Sequence, residues 1–243
     1  MENSNGRIAL ITGANKGIGK EIARQLGLLG YTVVLTAREQ NAGERAVAEL
    51  IAAGCDAYYV QLDVTSAPDI ANLVKYLETN FGKLDVLVNN AGIAIEWDGN
   101  PTTPEKVRRT LEVNLVAPYA ITEALVPLLS LSDDARVINH SSQLGSIDAA
   151  ENSWKYISGF MTVGYATSKA GLNMLTQIQS KTLEAKRIAV AAAHPGWVKT
   201  DLGTDAAPME VEEGASTVVS LVTTTRDRFP HGQLVHKGVR IPW

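Results

Sequence analysis

A tyrosine and a lysine stand four residues apart, as Tyr165 and Lys169, at the start of a pattern typical of a long helix. This spacing places both side chains on one face of a helix, one turn apart. A free tyrosine, with a pKa of about 10, exchanges protons poorly near neutral pH. A neighbouring ammonium group stabilises the phenolate and lowers that pKa, which suits the tyrosine to proton transfer. Taken alone, such a pair is more often an ordinary exposed feature of a helix.

Further polar residues stand where two apolar runs end. The run Arg136–Ser141 is followed by Ser142, and the run Leu84–Asn89 is followed by Asn90–Gly92. If both runs are parallel strands, their carboxyl ends meet at one edge of a sheet, where ligands bind. Asn114 lies within a predicted helix. A structural asparagine bonded to backbone and a catalytic one are equally good interpretations of that residue.

A glycine-rich segment, Thr12–Gly19, follows the first apolar run and opens the first helical pattern. Its glycines permit a tight turn and a close approach of backbone to ligand, and the helix N-terminus favours an anion. Because strand, loop and helix occur in this order, we interpret the segment as a pyrophosphate-binding loop for a dinucleotide. A purely structural tight turn is the alternative.

The end of the second predicted strand distinguishes NAD from NADP. NAD sites usually carry an acid there for the ribose hydroxyl, whereas NADP sites need a cation for the 2′-phosphate. In this sequence Ala37 is followed by Arg38, and Lys16 in the glycine-rich segment can reach the same corner. Glu39 could serve as the ribose acid instead. Two cations against one acid favour NADPH as the cofactor.

The elements that must position these residues alternate between strands and helices. The predicted strands are the apolar runs Arg7–Thr12, Thr32–Ala37, Ala57–Leu62, Leu84–Asn89, Arg136–Ser141, Ile188–Ala193 and Gln233–His236. The predicted helices are Gly17–Gly30, Asn41–Ala53, Pro68–Phe81, Pro104–Leu129, Val163–Lys186 and Val211–Thr223. Regular β–α alternation predicts an α/β fold, a doubly wound (Rossmann-type) parallel sheet of about seven strands with helices on both faces. We expect residues 1–243 to form a single domain of this type.

Composition argues against several classes of partner. The net charge of −4 gives no basic footprint for nucleic acid or an anionic membrane surface. No apolar stretch approaches the length of a membrane span, and Met1–Gly6 is too polar for a signal peptide. Cys55 is the one cysteine, which fits a reducing compartment. The four histidines show no metal-ligand spacing. We therefore expect a cytoplasmic protein that acts on a small molecule without a metal.

Taken together, the motifs resemble those of the short-chain dehydrogenase/reductase family over essentially the whole chain. In order they are TGANKGIG, Leu62-Asp63-Val64, NNAG, Asn114, the Ser141-Ser142 pair, YATSK and Pro195–Thr200. Within the family, the segments LTAR, HPGWVKTD and HGQLV are most similar to those of NADPH-dependent carbonyl reductases. The resemblance implies an enzyme that transfers hydride between NADPH and a carbonyl compound.

The resemblance implies four catalytic residues. Tyr165 would donate a proton to the carbonyl oxygen as hydride arrives from the nicotinamide, and Lys169 would tune Tyr165 and bond the nicotinamide ribose. Ser142, rather than Ser141, would hold the carbonyl oxygen. Asn114 would anchor a water behind Lys169. A positioned acid, an oxyanion partner and a bound hydride donor are what carbonyl reduction requires.

The resemblance also implies a cofactor site at the carboxyl ends of the strands. Asp63 and Val64 would line the adenine pocket, while Val198 and Thr200 would contact the carboxamide and select the nicotinamide face. The expected cofactor-binding residues are Gly13, Asn15, Lys16, Gly17, Ile18, Gly19, Arg38, Asp63, Val64, Asn90, Ala91, Gly92, Tyr165, Lys169, Pro195, Gly196, Val198 and Thr200.

The segment between Ser142 and Tyr165 departs from the family pattern. It is longer than the common spacing, yet shorter than the insertion of some monomeric carbonyl reductases. Its large side chains could wall a substrate pocket or pack on the surface; they are Trp154, Tyr156, Phe160 and Met161. We expect a hydrophobic carbonyl substrate and a lid at Lys199–Pro208. Whether the chain is a monomer or a homo-oligomer stays open.

Two other functions remain compatible with these motifs. One is a vestigial NADP(H)-binding protein with a regulatory or scaffolding task, because fold alone does not fix function. The other is alcohol oxidation, the same chemistry in reverse. The set Ser142, Tyr165, Lys169 and Asn114 favours an enzyme, since a binding protein needs none of it. Cells generally keep NADP pools reduced, which favours the reductive direction.

Overall fold

The chain folds around one eight-stranded sheet, seen in a computed structural model that describes residues 6–157, 159 and 162–243. Phe160 and Met161, which we expected near a substrate pocket, lie outside the described residues, as does the side chain of Tyr156. The strands are β1 (Ile8–Ile11), β2 (Thr32–Ala37), β3 (Ala57–Gln61), β4 (Val86–Asn89), β5 (Arg136–His140), β6 (Ala189–Ala193), β7 (Leu234–His236) and β8 (Val239–Ile241).

The strand order is β3-β2-β1-β4-β5-β6-β7-β8, and every neighbouring pair is parallel except β7 with β8. The doubly wound parallel sheet is therefore confirmed, but the prediction of about seven strands missed β8. This strand pairs with β7 through a tight hairpin in which Lys237 and Gly238 both have positive φ. It has only three residues, too few for a reliable alternation signal.

Helices cover both faces of the sheet. They are α1 (Gly17–Leu28), α2 (Gln40–Ala52), α3 (Ala67–Phe81), α4 (Pro104–Leu111), α5 (Ala117–Leu129), α6 (Ile147–Asn152), α7 (Trp154–Ile157), α8 (Val163–Thr182) and α9 (Val211–Thr223). Alternate residues of β1 supply the two cores: Ala9 and Ile11 pack with α1 and α9, while Ile8 and Leu10 pack with α3 and α5. The short helices α6 and α7 lie in the segment that departs from the family spacing.

The predicted helix Pro104–Leu129 is not uniform. Residues Glu112–Val116 form a π-helical turn between α4 and α5, with Asn114 buried at its centre. The extra residue in such a turn redirects the side chains around it, and π-helical turns are frequent at functional sites. The sequence pattern shows one continuous helix, because a single inserted residue barely disturbs an apolar periodicity.

The same run corrects our statement that no stretch approaches the length of a membrane span. Pro104–Leu129 has 26 residues and passes a length-and-hydropathy test for a membrane-crossing helix. Its α5 part contributes Ile121, Leu125 and Leu129 to the core beside α3. Core helices of globular proteins pass that test for the same reason, since burial against a sheet also requires apolar side chains.

Candidate active site

Tyr165 and Lys169 lie in the first two turns of α8, on the face turned towards the carboxyl end of β5. Both side chains are buried, with 8% and 5% of their surface exposed. The Lys169 Nζ lies 5.6 Å from the centre of the Tyr165 ring and donates a 2.8 Å hydrogen bond to the carbonyl oxygen of His140. The expected i, i+4 pair is thus formed, in a buried setting rather than on an exposed helix face.

The two serines that follow β5 have different surroundings. The Ser142 side chain lies near enough to the Tyr165 phenol to lower the pKa of that phenol by hydrogen bonding, and its hydroxyl accepts a 3.1 Å bond from the Leu144 N–H. Ser141 donates a 2.6 Å hydrogen bond to Asn173 instead. The Ser142 side chain therefore lies beside the Tyr165 phenol, whereas Ser141 is hydrogen bonded to the Asn173 side chain of α8.

The pKa values of the buried pair differ from what we expected. Burial raises the pKa of Tyr165 to about 12, against a smaller lowering by the hydrogen bond from Ser142. Burial also lowers the pKa of Lys169 to about 8. The expected lowering of the tyrosine pKa is therefore not produced by these residues, because loss of solvation outweighs the hydrogen bond from Ser142. At neutral pH Tyr165 is a protonated phenol, the form that donates a proton.

Asn114 reaches the site from the π-helical turn. Its side chain accepts a 2.8 Å bond from the Ile93 N–H and donates a 2.9 Å bond to the Ile93 carbonyl, and a 3.1 Å bond to Ser168. A Cβ added to Gly92 would lie 3.4 Å from Asn114 and 3.8 Å from Lys169 Nζ. The asparagine is bonded to backbone and lies beside the lysine, so the two interpretations of Asn114 are compatible.

The glycine-rich segment packs against the end of β4. Gly13 has a φ of +62°, and a Cβ there would stand 2.9 Å from the Ala91 Cα, so no larger residue fits without a shift. The Asn90 Nδ2 donates a 2.8 Å hydrogen bond to the carbonyl oxygen of Thr12. The Asn90 Oδ1 is hydrogen bonded to the His140 Nδ1 at 2.8 Å. The loop and the NNAG segment thus form one joint surface at the carboxyl edge.

The remaining loop residues lead into α1. Gly17 has a φ of +55°, and a Cβ on Gly19 would stand 2.4 Å from the Asn90 side chain. Ile18 packs against the core, which leaves backbone rather than its side chain to face a ligand. Asn15 is half-buried in the turn between Gly13 and the helix. The arrangement is a backbone cradle at a helix N-terminus, the geometry that binds phosphate.

The two predicted phosphate-binding cations differ in their present contacts. Arg38 is exposed at the end of β2. Hydrogen bonds from Thr65, and more weakly the charge of Arg38, lower the pKa of Asp63, which places this aspartate close to the arginine. Lys16 forms an ion pair with Asp201, a contact that the sequence did not indicate. Arg38 and Asp63 lie at one end of the site, and the Lys16 side chain, though paired with Asp201, keeps 67% of its surface exposed.

The segment Pro195–Thr200 leaves β6 at the same edge. Gly196 has a φ of +92°, Val198 is buried, and Val198 pairs with Met209 in an isolated bridge. The Trp197 indole donates a 2.7 Å bond to the carbonyl of Gly203. A Cβ on Gly17 would be 3.4 Å from the Thr200 side chain, so the loop after β6 lies over the glycine-rich segment.

Sequence reasoning missed Glu96. This carboxylate is 6% exposed and accepts a 2.8 Å bond from the Tyr165 N–H, and its neighbour Trp97 has its ring 4.9 Å from the Tyr165 ring. An acid after an NNAG segment gives no signal of burial in the sequence. Of the histidines, His140 and His194 are buried, and burial lowers the pKa of each to about 3.

The chain is similar to known short chain dehydrogenases and carbonyl reductases over nearly its whole length. The family model for short chain dehydrogenases matches residues 7–211, a range that contains every site residue above. The chain is 35% identical over 274 residues to carbonyl reductase (NADPH) 3 of Mus musculus, covering 98% of each chain. It is 34% identical over 288 residues to (+)-neomenthol dehydrogenase of Arabidopsis thaliana, covering 96% of each. The solved structure of an NADPH-bound carbonyl reductase from chicken fatty liver has a TM-score of 0.86 at 28% identity, covering 99% of this chain and 100% of that one.

Proposed function

The chain belongs to the short-chain dehydrogenase family, and from this premise we propose that it reduces a ketone or aldehyde with NADPH, with Tyr165 as the proton donor. It is an NADP(H)-dependent oxidoreductase of carbonyl and alcohol groups, as its relatives over almost its whole length are. The proposal adds to this class the reductive direction, the roles of individual residues and the kind of substrate.

The observation that carries the proposal is the placement of the buried Tyr165 phenol beside the Ser142 side chain, whose hydrogen bonding lowers the pKa of the phenol. The two hydroxyls meet at the carboxyl end of β5, where ligands bind in sheets of this topology. The Lys169 Nζ lies 5.6 Å from the centre of the Tyr165 ring, and a Cβ on Gly92 would lie within 4 Å of both Asn114 and Lys169. A buried acid with a hydroxyl partner and a cation nearby is the arrangement that a carbonyl oxygen needs as negative charge develops on it.

Each residue has a distinct role in this proposal. The Tyr165 phenol gives its proton to the substrate oxygen, and Ser142 donates a second hydrogen bond to that oxygen. Lys169, held by the His140 carbonyl, stabilises the tyrosinate that remains. Asn114 holds the Ile93 backbone beside Lys169 and is the anchor for a water that returns a proton. NADPH, when bound, supplies the hydride that completes the reduction.

The residues at the carboxyl edge fit a dinucleotide with a 2′-phosphate. The backbone cradle of Thr12–Gly19 has no room for a Cβ at Gly13, and its N–H groups are the pyrophosphate ligands. The ribose acid of an NAD site is missing at the end of β2, and Arg38 follows the strand there. Glu39 is exposed and starts α2 without a side-chain cap, which supports the solvated interpretation over a ribose contact. The rest of the expected cofactor set lies along the same edge.

The substrate that we propose is a hydrophobic carbonyl compound. Two indoles flank the site, Trp97 against Tyr165 and Trp197 in the loop after β6, and both retain more than a third of their surface exposed. Apolar, partly exposed rings next to a buried acid suit an apolar substrate better than a charged one. We place the enzyme in the cytoplasm, because its one cysteine, Cys55, is free and buried.

Oxidation of NADPH and NADH by the purified chain, with a panel of aromatic, alicyclic and quinone carbonyls, tests the proposal. We expect turnover with NADPH and a strong preference over NADH. Tight NADPH binding without turnover of any carbonyl would instead support a vestigial binding protein. Efficient NADP-dependent alcohol oxidation with negligible reduction would support the oxidative direction. A preference for NADH would overturn the roles given to Lys16 and Arg38.

A further inference from the structure

The N-cap residue of the helix that carries Tyr165 does not cap it with its side chain. The first N–H groups of any helix have no partner within the helix, and an N-cap side chain usually satisfies one of them. Here the N-cap residue Thr162 accepts no hydrogen bond from the helix with its side chain. The unsatisfied groups include the N–H of Gly164 and of Tyr165, which lie at the second and third helical positions.

Glu96 supplies the missing cap from 69 residues away in the chain. Its Oε2 accepts a 2.8 Å hydrogen bond from the Tyr165 N–H, in a buried setting. Burial raises the pKa of Glu96, but hydrogen bonds from the N–H groups of Gly164 and Tyr165 and from the side chains of Thr162 and Thr102 together lower it by more, so the net shift is downward. The group is therefore a carboxylate at neutral pH, the charge that a helix N-terminus favours.

The contact requires a glycine at position 164. A Cβ there would stand 2.6 Å from Glu96 Oε2, 3.1 Å from its Cδ and 3.2 Å from the Val107 Cα. The next residue in the chain, Trp97, packs its ring against the Tyr165 ring at 4.9 Å and 44°. Consecutive residues of one short 3₁₀ turn, Ile95–Trp97, thus contact both the backbone and the ring of Tyr165.

We propose that Glu96 is a positioning residue for catalysis: by capping α8 it fixes the Tyr165 backbone, and with Trp97 it fixes where the phenol points. The inference rests on the proposed role of Tyr165 as proton donor. The Glu96 contact links the loop after β4, which also borders the glycine-rich segment, to α8, the helix that carries the proton donor. Displacement of a reacting group by about 1 Å can lower a rate by about a hundredfold, so a cap at this point acts on the chemistry.

Glu96→Ala and Glu96→Gln test the proposal. We expect the Ala variant to lose between about ten- and a hundredfold in kcat, with the KM and Kd for NADPH within about twofold. The Gln variant keeps an acceptor oxygen and should recover most of the loss. Ser66→Ala is the matched control, because Ser66 caps a different helix, α3, through the Asp69 N–H. It should lower thermal stability to a similar extent and leave kcat unchanged.

Amide hydrogen exchange gives a readout that does not depend on turnover. The Tyr165 N–H should be protected in the wild type, exposed to exchange in the Ala variant and protected again in the Gln variant. Equal exchange in all three proteins, or an unchanged kcat in the Ala variant of an active enzyme, would overturn the positioning role while leaving the proposed function intact. A wild type that reduces no carbonyl with NADPH would refute the proposed function itself, and the catalytic part of this inference with it.

Gly164→Ala gives a second, independent arm. We expect it to lower kcat in the wild type, because the added methyl displaces the Glu96 carboxylate. In the Glu96→Ala background the same substitution should lower kcat by less, since the displaced carboxylate is gone and only the 3.2 Å approach to the Val107 Cα remains. Additive losses in the double variant would contradict the proposed contact, because residues that act through one interaction are non-additive.

Discussion

The ammonium nitrogen of Lys169 lies 5.6 Å from the centre of the Tyr165 ring and is hydrogen bonded to the end of β5, at the His140 carbonyl, rather than to the phenol. Burial shifts the two pKa values in opposite senses: that of Lys169 falls to about 8, and that of Tyr165 rises to about 12. Of the two groups, the lysine therefore titrates closer to neutral pH. The tyrosine keeps its proton over the whole range in which an enzyme is normally assayed.

These pKa values predict the pH dependence of reduction. The active form needs Lys169 charged and Tyr165 protonated, so kcat/KM should be constant below about pH 8 and fall above it as Lys169 loses its proton. His140 and His194, with pKa values that burial lowers to about 3, should give no acid limb between pH 5 and 7. A pH profile at saturating NADPH measures this. A limb near pH 6.5 would assign the titrating group to an imidazole instead.

Arg38→Ala should weaken NADPH selectively. A charge-assisted hydrogen bond is worth about 1.5–3 kcal/mol, which corresponds to about a 10- to 100-fold rise in the Kd for NADPH. The Kd for NADH should hardly change. Fluorescence titration with both cofactors measures the ratio. Arg45→Ala is the control, since Arg45 is an exposed arginine on α2 of the same charge. Equal loss for NADH and NADPH would contradict a 2′-phosphate contact at Arg38.

Asp201→Asn should tighten NADPH binding. In the structure Lys16 is paired with Asp201, and binding of the 2′-phosphate has to compete with this carboxylate. Exposed ion pairs are weak, so we expect a gain of up to about fivefold that shrinks as salt is added. Asp205→Asn, an exposed site in the same loop with the same change of charge, is the control. A weaker affinity in Asp201→Asn would mean that Asp201 orients Lys16 for the cofactor.

Gly13→Ala should destabilise the fold through one contact. The new methyl would meet the Ala91 Cα at 2.9 Å, and overpacking of this kind costs about 1–3 kcal/mol. Gly54→Ala is the matched control, because Gly54 also has a positive φ but nothing within 4 Å of an added Cβ. Denaturant unfolding of both variants isolates the contact from the backbone strain. Equal losses in the two variants would show that Ala91 leaves room for the methyl.

The sequence predicted the fold and the constituents of the site because both depend on local patterns. Apolar runs predict the strands and helices, and the position of the glycines predicts where those elements end and where the glycine-rich segment Thr12–Gly19 lies. The i, i+4 spacing gives the Tyr165–Lys169 pair. The π-helical turn at Asn114 was not predictable, since one inserted residue leaves the helical periodicity nearly unchanged.

Contacts between distant segments were also beyond the sequence. The Lys16–Asp201 ion pair joins residues that no local pattern relates. The burial of Glu96, which shows in the sequence only as an ordinary charged residue, depends on where α8 begins in space. The predicted direction of the Tyr165 pKa shift was wrong, because the spacing between Tyr165 and Lys169 in the sequence carries no information about loss of solvation. Long-range packing, rather than residue type, decides all three.

The role of Tyr165 is tested most directly by Tyr165→Phe, which removes the hydroxyl and keeps the ring that Trp97 contacts. Stopped-flow measurement of NADPH oxidation with a reactive carbonyl should show a fall in the hydride-transfer rate of about 10²- to 10⁴-fold, with the Kd for NADPH within a few-fold of wild type. Tyr119→Phe, at an exposed tyrosine on α5, should match the wild type. A Tyr165→Phe enzyme that transfers hydride at the wild-type rate would contradict the assignment of this phenol as the proton donor.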